Sequence, residues 1–293
     1  MNSVKTAAQR EKHVRSFARD LNAWCKNPRL DQRKKLFADI EKWIRSGEPR
    51  AAAVAAGILR QLGNWYAQHG MFDVLGGRIE GWAHLDRVLH YNWWDTRIDP
   101  GGTHVLDAAH TLAHALVFGE ERMAAWLASR MIRSLDDNAF GSWDLSSFAV
   151  FMLELWHRYA GAPRPELDRQ GIARIGVYRS VLDTWNDGQG LVTALLNACD
   201  YHLDEAVYSD ANKEFLTSPY DLFPVDILAI AAVRAKQGLP MPELDHPLMQ
   251  TPLAKPPPND IRPRMPPDPL LDAVIEKARK QGFLPADGDV FAP

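Results

Sequence analysis

The sequence predicts an all-α protein: compact, mostly antiparallel helices in a bundle or in stacked hairpins, with a proline-rich strap and a C-terminal helix. Three observations carry that expectation. Apolar residues recur at three- and four-residue intervals in one segment after another, the period of a helix with one buried face. No alternating run is long enough to require a strand. The connections between segments are short, which favours neighbouring antiparallel pairs.

The first segment, residues 4 to 25, spaces Val4, Ala7, Ala8, Val14, Phe17, Leu21 and Trp24 along one face, and "NPRLD" interrupts it. Leu36, Phe37, Ile40, Trp43 and Ile44 mark a second helix that "SGEP" closes. Pro49 can then occupy the first turn of a third, "RAAAVAAGILRQLGNWYAQHG", where proline's missing N–H is harmless. Its small residues predict close packing, and Gly70 is its expected stop. Helices are further expected over 78–94, 103–118 and 120–134. "SSFAVFMLELWHRYAG" reads as a central helix ended by Gly161 and Pro163. Two more follow at 188–206 and from Pro224 to a C-cap at Gly238.

Residues 240 to 270 differ in kind, because eleven of the thirty-one are proline. Fixed φ and missing amides predict an extended strap or linker there. In "DPLLDAVIEKARKQGFL", Asp268 is placed to cap, Pro269 to open and Gly282 to stop a last helix. Its apolar side calls for docking on the body. The expected organisation is a helical domain over 1–239, a strap over 240–267, and a C-terminal helix and tail over 268–293.

A chain of 293 residues with 46% hydrophobic content can bury a substantial core. Cys25 and Cys199 allow at most one bridge and form no metal-type pair, which suits a reducing compartment. The first twenty residues lack the apolar run of a signal peptide, and no apolar stretch approaches the roughly 18 residues of a membrane span. The expected setting is cytoplasmic, with no membrane partner. The net charge of −3 is uneven: residues 1 to 50 hold thirteen Lys or Arg against six Asp or Glu. That basic arm has no glycine-rich or aromatic readout element beside it, so nucleic acid is not an expected partner.

Several constellations invite a chemical reading. "DAAHTLAHALVFG" puts Asp107, His110 and His114 on one helical stripe just after His104. The residues that follow His110 are Thr111 and Leu112, so the zinc pattern HExxH is absent. "DAAH" is matched by "ELWH", which pairs Asp107 and His110 with Glu154 and His157. Such pairs on two helices form half of a di-iron carboxylate centre, which also needs carboxylates from two other helices. Glu80, Asp86, Asp200, Asp204 and Glu205 could supply them, though none sits in an apolar helix centre that demands explanation.

Other signals are weaker. Asp136 and Asp137 read as turn or cap residues. Ser142, Ser146 and Ser147 lack a nucleophile elbow. Cys199 and His202 could share a face, but Leu195, Leu196 and Ala198 make Cys199 a packed thiol. The glycine pairs in "VLGGRIEG" and "DPGGTH" lack the spacing of a phosphate loop. No cofactor, resident metal or catalytic set is expected.

What remains is acidity and aromatic surface. From Asp183 to Asp226 there are nine carboxylates and one lysine, Lys213. Asp187 and Asp221 are explicable as helix caps; a solvated face is the plain reading, and a field that recruits a basic protein is the functional one. Asp187, Asp200, Asp204 and Glu205 are the candidate partner-binding residues. Trp43, Trp65, Trp82, Trp126 and Trp156 have core-like spacing. Trp93, Trp94, Trp143 and Trp185 lie in or beside polar turns, where a ring plugs the bundle end or anchors an interface.

The segment "SPYDLFPVDILAIAAVRAKQGLPMPELDHPLMQTPLA", residues 218 to 254, resembles the closing part of the helical immunity proteins of bacterial polymorphic toxin systems, such as those of contact-dependent and type VI secretion effectors. The shared elements are "PYDLFP", an apolar helix, then "GLP" and "DHPL". The proline-rich extension and the basic first fifty residues depart from that pattern. The resemblance implies a cytoplasmic, non-enzymatic helical protein that binds a cognate toxin effector domain and covers its active surface. The alternative is a metal-dependent helical enzyme using Asp107, His110, Glu154 and His157.

Overall fold

The computed structural model describes residues 6–26, 30–46, 51–99, 104–137, 146–161, 175–206 and 213–284. Among them every regular element is helical: α1 (Ala7–Lys26), α2 (Leu30–Arg45), α3 (Ala51–Leu75), α4 (Gly81–Ile98), α5 (Val105–Phe118), α6 (Glu121–Asp137), α7 (Ser147–Ala160), α8 (Tyr178–Asp183), α9 (Gly188–Glu205), α10 (Val225–Lys236) and α11 (Pro269–Lys280). A single 3-10 turn, Pro252–Ala254, interrupts the strap. Pro49, Ser142, Trp143, Pro163 and Asp210 lie outside the described residues, as do the side chains of Asp136 and Asp137.

α3 and α4 pack antiparallel. Gly70 faces Gly81, Gly63 faces Asn92, and Arg60 reaches Asp95, so partners descend in one helix as they climb in the other. The expected stop at Gly70 is wrong, because α3 runs on through it to Leu75. A Cβ on Gly81 would stand 2.6 Å from the Gly70 carbonyl oxygen, so the two glycines let backbone approach backbone. The real stop is Gly77, at φ 78°, a left-handed position that glycine adopts without steric cost.

α5 is the innermost helix, with only Leu106, Asp107 and Val117 short of full burial. It packs against α4, α6, α7 and α10, which explains why its sequence is apolar nearly all round. Gly119, at φ 71°, ends it. α7 is capped by Ser146, whose Oγ accepts from the Ala149 amide at 3.0 Å, and Gly161 closes it. Each large apolar side chain buried here contributes on the order of 1.5–3 kcal/mol.

The strap is packed rather than free. Leu244, Leu248, Leu253 and Ala254 join the buried set, together with His246, Thr251 and Arg262. Arg262 donates to the Phe118 carbonyl at 2.8 Å and lies 3.8 Å over the Phe118 ring. It thereby satisfies a carbonyl at the end of α5.

Asp86 is a correction to the sequence reading, since it is buried within α4. It accepts from the Met265 amide at 2.8 Å and from Arg264 at 3.0 Å. The strap brings a positive charge and an amide to that carboxylate, a partnership invisible at a separation of almost 180 residues.

α11 docks through Leu271, Val274, Ile275 and Ala278. Asp268 caps it as expected, accepting from the Leu271 amide at 3.2 Å, and also accepts from the Tyr91 hydroxyl at 2.7 Å. Lys277 gathers the Trp43, Ile44 and Ser46 carbonyls at the end of α2, where a cation is favoured.

Of the tryptophans expected in or beside polar turns, Trp93 and Trp94 lie within α4, and both they and Trp185 are buried. Trp43, Trp65, Trp82 and Trp126 are buried in the core, whereas Trp156 is only partly covered. No helix among the described residues is long and apolar enough to cross a membrane.

Candidate functional site

The polar residues of the middle of the chain converge on one buried centre. The turn before α10 supplies Tyr220, whose ring stacks on His110 of α5 with centroids 4.4 Å apart and planes 10° from parallel. Phe148 and Phe215 enclose the same imidazole. Burial drives the His110 pKa down to about 3, helped by repulsion from His202, so the ring is neutral. The Tyr220 hydroxyl accepts from Asn92 at 3.4 Å and lies 3.3 Å from His114 Nδ1. Burial likewise holds His114 neutral, leaving Nδ1 able to accept the hydroxyl proton. His114 is therefore a packing residue whose Nδ1 partner is a phenol.

A second knot sits beside the first. Asp226 is fully buried and accepts from His202 Nδ1 at 2.9 Å and from the Tyr178 hydroxyl at 2.7 Å. Glu214 accepts from the Phe148 amide at 3.1 Å and from the Tyr201 hydroxyl at 2.6 Å, which caps the first turn of α7 with a carboxylate. Burial raises the Glu214 pKa against those donors. Each knot joins elements far apart in the chain.

The carboxylate–histidine quartet does not gather. His110 faces aromatic rings, while burial raises the Asp107 carboxyl and Arg60 pulls it back down. Glu154 is buried in α7 and His157 lies on the partly exposed last turn. No three His, Cys, Asp or Glu side chains among the described residues come together in a way that could hold a metal ion. His104 turns out to be the N-cap of α5, its Nδ1 accepting from the Leu106 amide at 3.2 Å. Cys25 and Cys199 are both free thiols; burial raises both, Cys25 to about 11.

The four acidic candidates separate. Asp187 is exposed at the N-cap position of α9, with no capping bond from its side chain. Asp200 pairs with Arg10 of α1 and lies 3.3 Å from His246 of the strap, so it ties three segments together. Glu205 accepts from Lys213 at 3.0 Å and from the Glu214 amide at 3.1 Å. Asp204 is half-exposed on the last turn of α9. Asp221, expected as a cap, is buried and accepts from the Ser218 hydroxyl at 2.9 Å.

Much of the acidic run is thus internal wiring, and Asp183 and Asp187 are its fully exposed members among the described residues. The roles of Glu214 and Asp226 escape the sequence reading because both look like surface charge there, and that of Asp221 because it reads as a helix cap. Their apolar neighbours in "KEFL" and "YDLFPVDIL" were the available signal.

No protein-family model matches the chain, and neither a curated protein nor a solved structure matches it.

Proposed function

We propose that this chain is an immunity protein: it binds a cognate toxin effector domain and covers its active surface without performing chemistry itself. The observation that supports the reading best is the use made of the "SPYDLFPVD" motif. Tyr220 and Asp226 are spent on packing His110 and on holding His202 and Tyr178, so the segment that resembles immunity proteins is a scaffold element. The groups with chemical potential face one another inside the bundle, and the outer helical faces are left for recognition. Exposed Asp183 and Asp187, with half-exposed Asp204, give that surface a negative field suited to a basic partner.

The deciding experiment co-expresses the chain with a toxin domain encoded beside it in its genome, scoring survival and purifying the complex. Survival together with a stable one-to-one complex is expected. Survival without measurable binding would overturn the reading, because the chain would then act on the toxin's product or target.

A further inference from the structure

A cleft of about 340 Å³ opens between the turn joining α3 to α4 and the strap, where the 3-10 turn packs against α3. Much of its lining is apolar. Val74 and Trp82 are each 3% exposed and closed in by the core, while Ile79 is 47% exposed and Pro252 joins it from the strap. An isoleucine left in water beside such a recess is apolar area that a ligand can cover.

The charged lining is cationic. Arg78 and Lys255 are both exposed, and no carboxylate stands among the cleft's described lining residues. Asp73 balances Arg78, accepting from its Nε at 2.9 Å, and the guanidinium lies 5.0 Å over the Phe72 ring. The Lys255 ammonium meets no carboxylate among the described residues. It is the charge left over.

We propose that this cleft binds an apolar monocarboxylate, its hydrocarbon body on Trp82, Val74 and Ile79 and its carboxylate towards the Lys255 ammonium. Covering apolar surface supplies the affinity, and the lone cation sets the orientation. A lysine head on a flexible stem meets a carboxylate as a point charge and needs no fixed fork geometry. One unbalanced positive charge suits a monoanion. Phosphate would bring nearly two, which Asp73 and Asp245 repel, the latter standing one bond behind the lining where it accepts from Gln250 at 3.0 Å. The volume lies at the small end of ligand sites, which run from roughly 300 to 1,000 Å³. The site does not rest on the immunity reading.

The test is calorimetric titration of the full chain with 4-phenylbutyrate, with 4-phenylbutanamide as the neutral control at matched ionic strength. Saturable millimolar binding is expected, tighter for the acid by about three- to fivefold, the reach of one exposed ion pair. Lys255→Met keeps the stem and removes the charge, so acid and amide should then bind alike. Ile79→Asn should weaken both by about threefold or more. Both positions are exposed, so circular dichroism should stay unchanged. No saturable binding, equal binding of acid and amide to the native chain, or an acid preference that survives Lys255→Met would overturn the proposal. Inorganic phosphate binding more tightly than phenylbutyrate would overturn it too. N-acetylphenylalanine separates the sources: binding at least as tight as phenylbutyrate assigns the carboxylate to a polypeptide terminus, and its exclusion assigns it to a free acid. Toxin protection is read separately, so failure of the cleft and failure of the immunity reading are distinguishable.

Discussion

The imidazole of His110 lies flat on the phenol ring of Tyr220, two residues 110 positions apart that share one stack in the centre of the bundle. The stack holds a titratable ring where water does not reach. Its folded pKa of about 3 is below the ordinary value of 6.5. Between those two values the unfolded chain takes up a proton that the folded chain refuses, so this residue makes stability fall as pH drops from about 6.5 towards 3.

His110→Phe removes that proton uptake and keeps a flat ring in the stack. From pH 7 to pH 4 the native chain should lose about 3 kcal/mol more than the variant, at 1.36 kcal/mol per pH unit over the titrating window. His114 penalises acid in the same direction and remains in both proteins, so the variant still weakens in acid. Urea unfolding at the two pH values measures the difference; parallel losses would show that His110 titrates normally.

Asp86 is the point where strap and body are tied, through Met265 and Arg264. Asp86→Ala leaves the Met265 amide without its acceptor and should cost about 2–4 kcal/mol. Limited proteolysis should then cut within 255–267 at a rate the native chain does not show. An unchanged melting temperature and digest would mean that the strap is held by its apolar residues alone.

Gly81 and Gly57 make a paired test of backbone approach. Gly81→Ala puts a methyl 2.6 Å from the Gly70 carbonyl oxygen and 2.8 Å from the Val74 nitrogen, forcing α3 and α4 apart. A loss of about 2 kcal/mol or more is expected. Gly57, also in α3, has nothing within 4 Å of the same methyl, so Gly57→Ala should add about 0.5–1 kcal/mol through helix propensity. Chemical denaturation of both variants reads the contrast, and equal effects would deny the close crossing.

The acidic residues divide by their internal contacts. Reversal of Asp200 or Glu205 to lysine should lower the melting temperature, because each would meet Arg10 or Lys213 as a like charge. Reversal of Asp183 and Asp187 together should change stability by no more than about 1 kcal/mol. It should slow association with a basic toxin domain, most strongly at low salt. Stopped-flow kinetics at two ionic strengths makes the measurement, and a salt-independent, unchanged association rate would remove α8 and the start of α9 from the encounter surface.

Helix periods and end signals were readable because they are local. Asp268 caps, and Gly161, Gly238 and Gly282 take positive φ just past their helices, all within a few residues of the pattern that announces them. Gly70 misled because a glycine that admits a neighbouring helix looks, in one dimension, like a glycine that ends its own. α8 is six residues long, too short to show a period. The inner polar centre was hidden for a different reason. Asp226 owes its place to Tyr178 and His202, and Glu214 to Phe148 and Tyr201, so a carboxylate's fate depended on donors from other helices. Of the four proposed contact residues, Asp200 and Glu205 are committed to intramolecular partners for that reason.

α1 contains no fully buried residue. Val14, Phe17, Leu21 and Trp24 touch the core from outside, and Arg10 ties the helix to Asp200. A helix attached by partly covered side chains, with the Arg10–Asp200 ion pair and the Trp24–His69 ring contact among its described ties, has little apolar area to lose on detaching, so its opening free energy lies well below that of the bundle. Native-state hydrogen exchange should therefore report α1 as a separate foldon, its amides exchanging through a sub-global opening that leaves α5 protected. The ion pair makes that opening sensitive to salt, and the bundle's own unfolding much less so.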